Sequence, residues 1–176
     1  MSQTEISGLC LTRVSASKII LPSVNFVTSV EAEADIRRVL YAVSIPEYIE
    51  AWLEVPGIDR IEFHPLNRSF DKFQIDLYSF ERFQGAIYAS CLLSKPNRVT
   101  FRWRTDSAGN GAESIVEIRL WKHPTMCIVN LIHSGLYGSE GREWHLEMWQ
   151  RSLKRLRRLV EGGLVNHLVS SASIAG

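Results

Sequence analysis

Five histidines, His64, His123, His133, His145 and His167, are the side chains best suited to acid–base or metal chemistry. Their spacing decides against most of it. None forms an HxxxH pair or accompanies a CxxC, so no metal site is expected. His133 falls in phase with Thr125, Cys127, Val129 and Leu131, so a strand there turns it toward the enclosed side. Its simpler role is that of a hydrogen-bonded structural histidine, because buried polar groups are normally satisfied. Glu47, Glu50 and Glu54, and again Glu140, Glu143 and Glu147, recur at helical spacing among polar neighbours. They read as solvated helix faces, with Glu147 and Arg151 an i, i+4 pair. There is no GxSxG elbow, P-loop or GxGxxG, and Gly135, Gly138 and Gly141 have the wrong spacing for a dinucleotide turn. No catalytic residue and no cofactor are assigned.

The aromatic residues carry the better signal. Trp52, Phe73, Phe101, Trp103 and Trp149 fall on apolar faces, and together with Ile75, His133 and Leu153 they are the candidate ligand-binding residues. A ligand pocket is mostly apolar with a few polar groups, here His133 and Asn130. The same stripe also describes an ordinary filled core, and periodicity does not separate the two.

These residues need elements to position them. Val24 to Val30 reads as a strand, then Ile36, Val39, Leu40 and Val43 give a short amphipathic helix. Pro46 opens a second short helix, and Pro56-Gly57 ends the unit. Six strand-like segments follow, Ile58 to Phe63, Phe73 to Phe80, Gly85 to Leu93, Arg98 to Arg104, Ser114 to Trp121 and Thr125 to His133. Phe73, Ile75 and Leu77 alternate with Gln74, Asp76 and Tyr78, as expected of an antiparallel sheet covered on one face. Turn-forming links such as 106–111 and Lys122-His123-Pro124 favour a meander. From Glu140 to Glu161, Leu146, Trp149, Leu153, Leu156 and Val160 repeat at steps of three and four, predicting one long helix stopped by Gly162-Gly163. The class is α+β, with helices at the ends of an antiparallel sheet. Residues 1–22 read as a tail or an extra edge strand, 23–163 as the domain, and 164–176 as a second tail.

At 176 residues, with 45% hydrophobic and 22% charged, the chain suits one globular domain. A net charge of +1 implies no nucleic acid and no anionic membrane as partner. Arg151, Lys154, Arg155, Arg157 and Arg158 make the end of the long helix basic, which complements its dipole and leaves contact with an acidic protein open. Cys10, Cys91 and Cys127 lack CxxC spacing and suit a reducing cytoplasm. The first twenty-odd residues lack a signal peptide's apolar core, and no run of about 18 apolar residues exists, so neither export nor membrane insertion is expected.

Val39-Leu40-Tyr41-Ala42-Val43-Ser44-Ile45-Pro46-Glu47 followed by Trp52 resembles the opening of START-like (SRPBCC) proteins of the heat-shock-protein-90 ATPase activator branch. The segment from Thr125 to Leu136, with His133-Ser134-Gly135, is similar to the last strand of that family, and Trp149, Leu153 and Leu156 resemble its closing helix. The sequence departs from the family where a Gly-Gly pair commonly stands, here His64-Pro65-Leu66-Asn67-Arg68. The resemblance implies a helix-grip fold, a curved sheet of six to seven strands wrapped on the long helix, with an apolar cavity in many members. The leading expectation is a non-catalytic binder of a small apolar or aromatic molecule. One rival is a cyclase or hydrolase using His133 with Tyr88 or Tyr137. The other is a co-chaperone-like interaction module, and a homodimer is also left open.

Overall fold

The period of two and the period of 3.6 each produce the element that carries them. The protein is represented by a computed structural model that describes residues 24–69, 71–106 and 112–162. The expected tails, 1–22 and 164–176, lie outside the described residues. The element order is β1 (Val24–Ala32), α1 (Ile36–Ser44), α2 (Pro46–Trp52), β2 (Arg60–Pro65), β3 (Lys72–Ser79), β4 (Arg82–Lys95), β5 (Arg98–Thr105), β6 (Ser114–Lys122), β7 (Cys127–Ser134) and α3 (Ser139–Glu161). The α+β helix-grip class follows directly.

One seven-stranded sheet runs in the order β1-β7-β6-β5-β4-β3-β2, every neighbouring pair antiparallel. Strands β2 to β7 form the expected meander, and β1 adds itself beside β7. Register shifts at Val24/Phe26, Leu77/Tyr78 and Cys91/Leu93 bend and twist the sheet, as bulges do. The inward rows, Phe73, Ile75 and Leu77 on β3, Val99, Phe101 and Trp103 on β5, Val116, Ile118 and Leu120 on β6, are buried. Opposite them α3 presents Met148, Trp149, Leu153, Leu156 and Val160, completing one core.

The helices begin and end for local reasons. Asp35 caps α1 by accepting from the Arg37 backbone N–H at 2.7 Å. Ile45 is extended, Pro46 stands at the first turn of α2, and the chain kinks between the two helices. Glu140 lies in the first turn of α3 and Arg158 in its last, each favourable to the helix dipole. Arg38 donates to the Val160 carbonyl at 2.9 Å, which ties the end of α3 to α1.

The β3–β4 turn is out of keeping with its sequence. Ser79 pairs with Arg82, leaving Phe80 and Glu81 as a two-residue loop with φ of 48° and 61°. Both angles belong to the left-handed region that Asn-Gly usually fills in such hairpins. Glu81→Gly is therefore expected to raise stability by about 1 kcal/mol, since a non-glycine residue there costs roughly 1–2 kcal/mol. An unchanged or lower denaturant midpoint would show the turn to be relaxed.

Candidate functional site

The candidate residues sort by strand face. β7 alternates, so Val129, Leu131 and His133 point inward and Asn130 outward. β5 does the same for Phe101 and Trp103, and β3 for Phe73 and Ile75. Trp149 and Leu153 lie one helical turn apart on the buried side of α3, and Trp52 closes α2. Of the eight predicted ligand-binding residues, Trp52, Phe73, Ile75, Phe101, Trp103, Trp149 and Leu153 belong to one buried apolar cluster, His133 is buried against Trp149, and none of the eight is more than 2% exposed.

Within it two aromatic groups form. Trp149 stands 5.0 Å from Trp103, 6.4 Å from Trp52 and 6.2 Å from His133, ring centre to ring centre. Phe73 packs edge-on to Phe101 at 6.0 Å and beside Phe63 at 5.3 Å. The indole group holds the polar atoms.

Hydrogen bonding there is directional. An indole N–H can only donate, so Trp149 Nε1 at 3.0 Å makes His133 Nδ1 an acceptor. The neutral ring then carries its proton on Nε2 and donates it to Ser114 Oγ at 2.8 Å, and Ser114 donates to the Trp103 carbonyl at 3.1 Å. His145 stands edge-on to His133 at 4.9 Å, its Nδ1–H donating to the Gly141 carbonyl at 2.6 Å. Burial, aided by neighbouring His145, holds His133 well below the usual histidine range. Burial lowers His145 too, against the Gly141 carbonyl, which raises it. Both rings are neutral near pH 7.

Of the three indoles, Trp52 donates to the Ala42 carbonyl at 2.9 Å and Trp149 to His133. Trp103 Nε1 is buried without a hydrogen-bond partner among the described residues. Such a donor costs about 1–3 kcal/mol. Beyond this cluster, toward solvent, a pocket of about 10 Å³ lies between Thr105, Ser114, Tyr137, Gly141 and His145, close to the least that admits one water. Its rim is the β7–α3 link, where Gly135 and Gly138 have φ of 83° and 77°. Asn25 fastens that link by accepting from the Leu136 N–H at 2.6 Å and donating to its carbonyl at 3.0 Å.

Sequence reasoning paired His133 with Tyr88 or Tyr137. Tyr88 lies on the other face of the sheet, where the Arg104 guanidinium stands 4.4 Å from its ring, so it cannot share a proton with His133. Tyr137 is on the pocket rim, beside His145 rather than His133. Ser114 and His145, which do belong to the site, escaped the sequence reading. Ser114 was legible only as being in phase with Val116 and Ile118, and His145 as one turn before Trp149.

A family model described as "Activator of Hsp90 ATPase homolog 1-like protein" matches residues 33–161. No curated protein matches significantly. Among solved structures, protein CV1439 from Chromobacterium violaceum is 23% identical, with a TM-score of 0.62 over 77% of this chain and 97% of its own. A Staphylococcus epidermidis protein is 11% identical, with a TM-score of 0.61 over 78% and 89%. DynU16, of the dynemicin biosynthetic locus, is 21% identical, with a TM-score of 0.56 over 78% of this chain and 47% of its own. At these identities the solved structures show a shared fold.

Proposed function

This chain belongs to the Activator of Hsp90 ATPase homolog 1-like family, and on that premise we propose that it is a non-catalytic binding protein for a small, flat, largely apolar molecule bearing one hydrogen-bond acceptor. The observation that carries the proposal is the buried, unpartnered Trp103 N–H, set against two neighbouring indoles that are both satisfied. A ligand acceptor would complete the set. Trp52, Trp103 and Trp149 are packed on one another here, so a ligand must part them to gain their flat apolar surface, each Å² it buries contributing about 25 cal/mol before ordering costs are subtracted. Access requires the β7–α3 link to swing on Gly135 and Gly138, releasing the Asn25 contacts. A non-catalytic role fits His133, whose two nitrogens are both engaged within the core. A cytoplasmic setting fits Cys91 and Cys127, thiols that burial pushes up and so keeps unreactive.

The test compares two flat aromatic probes of equal size, one with a carbonyl acceptor and one without, by tryptophan fluorescence titration. Wild-type protein is expected to prefer the carbonyl probe roughly 3- to 10-fold, the worth of one hydrogen bond, and Trp103→Phe to lose that preference. Absence of binding by either probe would sink the proposal. A second reading, a protein-interaction module, is supported by the β3–β4 turn, where Phe80 is 87% exposed on a left-handed backbone beside half-exposed Phe83.

A further inference from the structure

The outer face of the sheet carries a group of side chains unrelated to the indole cluster. We propose that Glu62, His64 and Asp76 form a divalent first-row metal site of the zinc class, set at the β2 edge of the sheet. Glu62 and His64 stand two residues apart on β2, on one face, and Glu62 is directly opposite Asp76 of β3. His64 Nε2 is 3.2 Å from Asp76 Oδ2 and 4.0 Å from Glu62 Oε2, and the three donor atoms lie within 4.8 Å of one another. Around a tetrahedral Zn²⁺ with bonds of about 2.0–2.2 Å, donors sit roughly 3.3–3.6 Å apart. Small rotamer changes close the difference.

Two features point to a cation here rather than to a chance grouping. Like charges directly opposed on neighbouring strands destabilise a sheet, and Glu62 faces Asp76 in register. Arg60, ion-paired to Glu62, offsets part of that repulsion, and a cation between the two carboxylates would turn the remainder into ligation. Each carboxylate also has one oxygen already held. Gln74 Nε2 donates to Asp76 Oδ1 at 2.6 Å, and Arg60 donates to Glu62 Oε1. The other oxygen of each faces His64, as outer-shell donors arrange ligands in known metal sites. Arg60 is itself positioned over the Tyr78 ring at 4.2 Å.

One imidazole and two carboxylates suit Zn²⁺ or Mn²⁺ better than Mg²⁺, which favours oxygen alone. The three protein ligands leave a coordination position for water or for a group from a partner. One of the three, His64, opens the stretch His64 to Arg68 where the sequence departs from the Gly-Gly pair of the resembling family. The site would clamp edge strand β2 to β3.

Chelator-treated protein titrated with Zn²⁺ by calorimetry should take up about one ion per chain through this site, and Co²⁺ should give visible d–d absorption. His64→Ala and the pair Glu62→Gln with Asp76→Asn are expected to abolish that uptake, and Gln74→Ala to weaken it about 10-fold or more through loss of the outer-shell donor. His123→Ala, an exposed histidine elsewhere, should change nothing. Far-UV circular dichroism checks that each variant is folded, and a variant that unfolds is replaced by its neighbour in the set. The site is ruled out if no stoichiometric uptake occurs, if His64→Ala binds as wild type, or if Mg²⁺ competes equally with Zn²⁺.

Discussion

Trp149→Ala is expected to reduce stability by about 3–5 kcal/mol, the range for removing a large aromatic side chain from a closed core. Trp149 is 1% exposed, joins Trp52 to Trp103, and donates to His133. Truncation leaves a void and strips His133 Nδ1 of its donor, so two penalties add. A loss of that size is a large share of the 5–15 kcal/mol that holds an ordinary domain. Trp149→Phe keeps an aromatic ring without the N–H and should fall between. Arg158, on the exposed side of the same helix, should cost under roughly 0.5 kcal/mol on change to alanine. Urea midpoints give the comparison, and equal losses for Trp149 and Arg158 would contradict the orientation of α3 described above.

The second large effect is expected from pH. His133 and His145 have their affinity for protons depressed in the fold, whereas in the unfolded chain each titrates near its ordinary value of about 6.5. Below that value the unfolded state binds more protons, so stability is full above about pH 6.5 and declines as pH falls toward the folded values. The limiting slope is about 1.4 kcal/mol per pH unit for each histidine still neutral in the fold. From pH 7.5 to 5.5 His133, the more strongly shifted, should account for a decline of about 1.4 kcal/mol, and His145 adds to it. Asp35, Asp71 and Glu161, which hydrogen bonds hold below their usual range, add their own losses only at lower pH. Urea midpoints at pH 7.5, 6.5 and 5.5 for wild type, His133→Gln and His145→Gln test this. A wild-type profile that is flat, or a slope unchanged in both variants, would refute it.

Much of the fold could be read from periodicity because burial acts through one face at a time. Phe73, Ile75 and Leu77 against Gln74, Asp76 and Tyr78 gave the inside of β3, and Trp149, Leu153 and Leu156 the inside of α3. The same rule, applied to Ile87 and Ala89 inside β4, places Tyr88 outside, which is why its pairing with His133 failed. The site was legible by residue but not by atom. The phase of β7 turned His133 inward, yet Ser114 and His145 reach it from β6 and the start of α3, a meeting set by sheet order and helix placement. That Trp103 lacks an acceptor is a property of one nitrogen, invisible to any pattern of residue types. The Glu62–His64–Asp76 group was passed over because helical spacing was the criterion. On a strand the spacing is i, i+2, and the third member comes from a register that sequence does not disclose.

The place of β1 bears on how the chain reaches this state. The meander from β2 to β7 can assemble by successive hairpins between sequence neighbours. β1 instead pairs with β7, Val30 opposite Val129, closing a loop of roughly a hundred residues before any of its ladder bonds are gained. Such non-local pairing slows folding. During synthesis the first strand leaves the ribosome and must wait until the seventh has emerged. Until then the inward row of Phe26, Thr28 and Val30 has no partner, and β7, once made, keeps an open margin that a second nascent chain could occupy. The interval between translation of β1 and of β7 is thus the period in which this protein is most exposed to aggregation, and in which a chaperone would have most to protect.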